Sequence, residues 1–163
     1  MKIKIKNLKN LPALSLDSHA FTASIYLDNK KVGTAIDRGD GMPPQITWTN
    51  CDDETFLAVC ISEGFDTYYE YSLRDILEPN ENLDFNVEAA LEVALDLAET
   101  EKQVKKSART KIVFWKDELT SWLTVKAKPT QENFERLRHH HGLNIFIFNE
   151  HGRIPMPEDL TLN

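Results

Sequence analysis

Cysteine is almost missing from this 163-residue chain, which has only Cys51 and Cys60. Two thiols cannot build a disulfide framework, and their spacing fits neither a C-x-x-C redox pair nor a zinc-ligand pattern, so both read as small buried hydrophobes. Glycine (6) and proline (7) are too few for a collagen-like or low-complexity chain. No run approaches the roughly 20 apolar residues of a spanning helix, and the opening MKIKIKNLKN alternates lysine with isoleucine where a signal peptide would become apolar. A cytoplasmic chain without a membrane partner is expected. The sequence also lacks a P-loop, a G-x-S-x-G elbow and an H-x-x-x-H pair. No cofactor and no metal is implied, and the missing catalytic constellations argue against an enzyme.

Basic residues are scarce in one stretch only. The net charge of −7 divides into +3 over residues 1–51, −14 over 52–101 and +4 over 102–163, and in the middle stretch fifteen acids face the single base Arg74. Phe56, Leu57, Val59, Tyr68, Tyr69, Tyr71, Leu73, Ile76 and Leu77 are interleaved with those acids, so the stretch is expected to fold instead of remaining a disordered acidic tract. An acidic face attracts whatever the phosphates of nucleic acid attract, which points to a basic protein partner. The low pI of 5.2 argues against direct nucleic-acid binding, although Lys2, Lys4, Lys6, Lys9, Lys102, Lys105, Lys106, Arg109 and Lys111 would form a patch if strand and helix end met.

The pattern along the chain predicts a single α+β domain over 1–163. An antiparallel meander occupies 1–50: a strand at Met1, Ile3 and Ile5, a second over Ala20 to Leu27, a turn at Asp28-Asn29-Lys30, a return over Val32 to Asp37, and a short strand at Gln45 to Thr49. An acidic mixed segment fills 51–80, where Asp52 and Asp53 cap a helix ending before Gly64, and Thr67 to Tyr71 suits a strand as well as a helix. A long amphipathic helix lies within 83–109, from about Asn86 to Ala108, with Val87, Leu91, Ala94, Leu95 and Ala98 inward and Glu88, Glu92, Asp96 and Glu99 in one acidic stripe. Acids at its start and bases at its end suit the helix dipole. A ββαβ stretch follows over 110–150, with a hairpin around Lys116-Asp117-Glu118, a helix from Thr130 to His140, and an apolar, central or nearly central strand at Ile145 to Phe148. The tail over 151–163 reads as a surface strap.

Two segments carry a resemblance. AFTASIYLDNKKVGTAIDRGDG, with its strands joined at a D-x-K turn before a glycine-rich loop, resembles the first half of small proteins carried by phages, prophages and plasmids. KIVFWKDELTSWLTVKAKPTQENFERLRHHHGLNIFIFNE, closing at Asn149, is similar to their second half. Met42-Pro43-Pro44 stands here where such proteins have paired glycines and a polar loop tip. The resemblance implies a mobile-element origin and assigns no chemistry.

The candidate partner-binding residues are therefore Glu88, Glu92, Asp96 and Glu99, joined by Asp52, Asp53 and Glu54, with Gly39, Asp40 and Gly41 as a candidate loop. His139, His140, His141 and His151 point in different directions from a helix end and make no ligand set. The leading expectation is a non-enzymatic protein-binding module, an acidic inhibitor of a host defence or nucleic-acid-handling protein. Alternatives are a metal-dependent nuclease or hydrolase using Asp37, Asp40, Asp52 or Asp53, and a structural or assembly protein that forms an oligomer.

Overall fold

The computed structural model describes residues 2–73, 77, 83–116 and 121–160. The chain is a mixed α+β protein whose contacts group into two units, residues 1–70 with 80–98, and residues 71–79 with 99–163.

In the first unit, alternation of isoleucine with lysine makes β1 (Ile3–Asn10) an edge strand with one face inward. It is followed by a short 3-10 turn at Pro12–Leu14, then β2 (Phe21–Leu27), β3 (Lys30–Asp37) and β4 (Gln45–Trp48). The four strands form an antiparallel meander in the order β1-β2-β3-β4. Asp28 and Asn29 take the left-handed backbone (φ 45 and 70) that a tight β2–β3 hairpin requires. Phe21, Ala23, Ile25, Leu27 and Ala35 are buried on the inner face. There Trp48 lies over Gly33, where a β-carbon would come within 2.7 Å of the indole, and its ring stands 5.1 Å from Phe56.

Asp37 ties the loops of this unit together. Its Oδ1 accepts from the Gly39 N–H at 2.7 Å and from the Ser18 hydroxyl at 2.9 Å, and the Gly39 carbonyl accepts from the Leu16 and Asp17 N–H groups at 2.9 and 3.0 Å. Gly39 has φ 76, and a β-carbon there would stand 2.4 Å from the Leu14 carbonyl oxygen, so only glycine fits.

Helix α1 (Asp53–Ser62) begins where Asp52 accepts from the Thr55 N–H at 2.8 Å. The Thr67–Tyr71 stretch is helical, not a strand: α2 (Phe65–Leu73) buries Phe65 and Tyr68, which recur one turn apart, and this three-residue recurrence overrides the β preference of threonine and tyrosine. Of the residues that follow, 74–76 and 78–82 lie outside the described residues, Ile76 among them. The long helix α3 (Val87–Ala108) starts at Asn86, whose side-chain oxygen accepts from the Glu88 and Ala89 N–H groups. Its apolar side is broader than one stripe, since Ala89, Ala90, Leu91, Val93 and Ala94 are all buried while Val87, Leu95 and Ala98 are half-buried.

The second unit is built on a three-stranded antiparallel sheet of β5 (Ile112–Trp115), β6 (Leu123–Val125) and β7 (Phe146–Ile147), in the order β6-β5-β7. The Ile145–Phe148 run therefore supplies an edge strand of two residues, and Phe148 already opens the short α5 (Phe148–His151). It is apolar throughout because both faces of the sheet are covered. Ile112, Phe114, Ile145 and Ile147 pack with Phe134 and Leu137 of α4 (Gln131–His141), while Val113, Trp115, Phe146 and Phe148 pack with Val104 of α3. Asp117 and Glu118, expected in the β5–β6 turn, lie outside the described residues.

The tail is more than a surface strap. Pro155 and Pro157 are buried, and Ile154 and Leu160, the latter closing α6 (Pro157–Leu160), join the second cluster. Arg153 grips Asp159 through two hydrogen bonds of 2.6 and 2.7 Å and lies over the Phe146 ring. Burial pushes the Asp159 carboxyl up, but that guanidinium and the Met156 N–H outweigh it and hold it below the usual carboxylate range.

Asn149 joins three elements of this unit. Its Oδ1 accepts from the Val113 N–H at 2.8 Å, and its Nδ2 donates to the carbonyls of Ala108 and Lys111, both at 3.1 Å. Asn149→Ala would leave a half-buried N–H without its partner and is expected to lower stability by about 1–3 kcal/mol in urea unfolding. Gly39→Ala should likewise cost more than about 1 kcal/mol, from strained backbone and the clash with Leu14. Wild-type midpoints for both would contradict this account of the fold.

Candidate functional site

Over residues 87–99, every exposed position is a carboxylate: Glu88, Glu92, Asp96 and Glu99. All remaining positions there are buried or half-buried. Spacings of four, four and three residues place the four acids on one helical face. Glu99 falls at the start of the second unit's share of α3, so the stripe of the first unit is Glu88, Glu92 and Asp96.

The dipole accounts for only part of this stripe. Glu88 lies in the first turn, where the exposed N–H groups favour an anion, but that attraction fades within one turn. Glu92 and Asp96 lie in the second and third turns. Their neighbours three and four residues away are other carboxylates, threonine or apolar residues, so the helix sequence offers them no i,i+4 base. Like charges at that spacing oppose the helix by a few tenths of a kcal/mol per pair. The second unit's part of α3 differs, because there Lys105 pairs with Glu101 at 2.9 Å.

Electrostatics agree with the geometry. Burial, followed by the charges of Asp96 and Glu88, raises the Glu92 carboxyl above its ordinary value. Across from the stripe, Tyr68 of α2 is pushed up to about 12, chiefly by burial and then by Asp96. Asp96 thus lies close enough to α2 to be felt there, which links the acidic stripe to a second helix.

The other expected acids have separate positions. Asp52 caps α1, and Thr55 holds its carboxyl below the usual range. Asp53 accepts from the Trp48 indole N–H at 2.7 Å, and Glu54 is exposed in the same first turn. In the glycine loop, Gly39 and Gly41 adopt positive φ and the Asp40 Oδ1 accepts from the Met42 N–H, so these residues shape the loop around Asp37. Asp37, Asp40, Asp52 and Asp53 therefore each serve a local turn, cap or side-chain bond. Among the described residues, no three His, Cys, Asp or Glu side chains converge as a metal-binding group.

Other features stand apart from the acids. Cys60 is buried, and burial pushes its thiol up, whereas Cys51 is half-buried. His141 lies against Phe114 and His151 stacks on Phe146 at 4.4 Å, so both imidazoles are packing groups. A shallow pocket of about 390 Å³ opens at the end of α4 between Lys116, His141 and Leu143. Leu14, Leu16 and Met42 are exposed on the two loops that Gly39 joins. Apolar residues inside loop segments were the sequence signal for these, and period-two or helical patterns do not register them. No described helix is long and apolar enough to cross a membrane.

No protein-family model, curated protein or solved structure matches the chain.

The raised Glu92 carboxyl has a direct consequence for stability. The folded state holds its proton more tightly than the unfolded chain, so ionisation is unfavourable to folding above the raised pKa and this penalty disappears as pH falls through it. Glu92→Gln should therefore stabilise the protein at pH 7 by a few tenths to about 1 kcal/mol, the exposed setting limiting the gain. The advantage should vanish in acid. Thermal unfolding at both pH values checks this, and a Gln variant less stable than wild type at pH 7 would contradict it.

Proposed function

We propose that this chain is a non-enzymatic protein-binding module of mobile-element origin. It works in the host-cell cytoplasm and uses the acidic face of α3 to dock on a basic surface of a host protein, inhibiting a defence or nucleic-acid-handling complex. The observation that carries this reading is that carboxylates occupy each exposed position of residues 87–99 although they repel one another. A row of negative charge without interspersed bases attracts the kind of surface that binds nucleic-acid phosphates. The separate structural engagements of Asp37, Asp40, Asp52 and Asp53 favour a binding role over hydrolysis. The resemblance of two segments, residues 20–41 and 111–150, to small proteins of phages, prophages and plasmids supports the origin.

The test is affinity capture from host lysate with the wild type and with a variant carrying Glu88→Gln, Glu92→Gln, Asp96→Asn and Glu99→Gln. The wild type is expected to retain a basic partner at low salt and release it as salt rises. The variant should bind that partner at least tenfold more weakly, about 1.4 kcal/mol, with a flatter salt dependence. Equal retention by both proteins would refute the acidic docking face.

A further inference from the structure

The pairing register of the first sheet fixes which side chains share its outer face. Lys4 lies opposite Tyr26, Lys6 opposite Ser24 and Lys9 opposite Thr22. Lys9 would face the other way in a regular strand, but a bulge between Lys6 and Lys9, with Asn7 at φ 53, restores it to the same side. The rows continue across β3 and β4 from Tyr26 to Lys31, from Ser24 to Thr34 and Thr47, and from Thr22 to Ile36 and Gln45. These rows hold four exposed lysines, the hydroxyls of Thr22, Tyr26, Thr34 and Thr47, and no carboxylate, while Ser24 is buried and accepts from the Asn7 amide. The hairpin acid Asp28 is occupied by the Lys2 N–H at 2.7 Å. Thus the net acidity of the chain, which argues against a polyanionic ligand, does not describe this face.

Lysine ammonium groups together with serine, threonine and tyrosine hydroxyls are the side chains that contact nucleic-acid phosphates and sugars. Four strands span about 14 Å at the usual strand spacing, too broad for a duplex major groove about 12 Å wide, which admits a helix or a two-stranded ribbon. An open antiparallel sheet face instead suits a single strand laid across it. Tyr26 supplies the aromatic ring on this face, with the Lys6 ammonium 4.4 Å from its centroid. A base against that ring and a phosphate against that ammonium would engage the pair together.

We propose that the outer face of the first sheet binds single-stranded nucleic acid through its phosphates, with Lys4, Lys6 and Lys9 as the row of cationic contacts and Tyr26 beside them. This site is separate from the acidic face of α3 and does not depend on its role.

The test is fluorescence anisotropy of a labelled oligothymidine with the full chain across a salt series. Binding is expected at low salt. Lys4→Gln, Lys6→Gln and Lys9→Gln together should weaken it at least tenfold and lower the slope of log Kd against log salt by about 2, the share of three phosphate contacts on a single strand. Circular dichroism shows whether that variant is folded. If it is not, Lys4→Arg, Lys6→Arg and Lys9→Arg together must retain binding while Tyr26→Leu weakens it. Absence of wild-type binding at low salt, unchanged binding by the folded Gln variant, or equal affinity for polyglutamate or duplex would overturn the proposal.

Discussion

Glu92 lies one helical turn from Glu88 and one from Asp96, and no base stands within helical reach of the three. The first unit must offset this repulsion. The remaining positions of residues 87–99 are turned inward or half-covered, so the helix is held by burial of Ala89, Ala90, Leu91, Val93 and Ala94. At roughly 25 cal/mol per Å² of apolar surface, that burial outweighs a few tenths of a kcal/mol of repulsion per carboxylate pair. The unit can therefore sustain a row of like charge on an exposed face. Lys4, Lys6, Lys9 and Lys31 lie elsewhere, on the outer face of the sheet, and those of β1 discourage edge pairing along it.

The second unit has a different logic. Its sheet is covered on both faces, with Phe134 and Leu137 on one side and Val104, Ile154 and Leu160 on the other. Asn149 satisfies a β5 N–H and two carbonyls with one side chain, and the paired hydrogen bonds of Arg153 to Asp159 secure the tail. Arg138 and Glu150 form a further ion pair between α4 and α5. The second unit is also rich in exposed charge, but there bases and acids are interspersed, as in the Lys105–Glu101 and Arg136–Glu132 pairs.

Much of this fold was legible in the residues. The alternation in β1, the left-handed Asp28-Asn29 turn, the Asp52, Asn86 and Thr130 caps and the period of α3 are local signals, and local backbone chemistry decides them. The Thr67–Tyr71 helix was ambiguous because Phe65 and Tyr68 reveal their period only once both are seen to be buried. The apolar run at Ile145 to Phe148 looked central because burial on two faces leaves the same sequence trace as a middle strand, yet here β5 holds the centre. The acidic stripe was legible as a helical period, but the local engagement of Asp52 in a cap and of Asp53 with the Trp48 indole, both at the start of another helix, was not. The lysine row was visible only in part, because the bulge at Asn7 that brings Lys9 to the face of Lys6 has no pattern in a single sequence.

The most direct measurement of the central claim is a titration of isotope-labelled protein with an oligo-lysine peptide, read residue by residue from backbone amide shifts. The account predicts that Glu88, Glu92 and Asp96 move first and farthest, and that added salt reverses the change. Shifts led by Glu54, Glu132 or Glu158, with the α3 stripe unmoved, would contradict it.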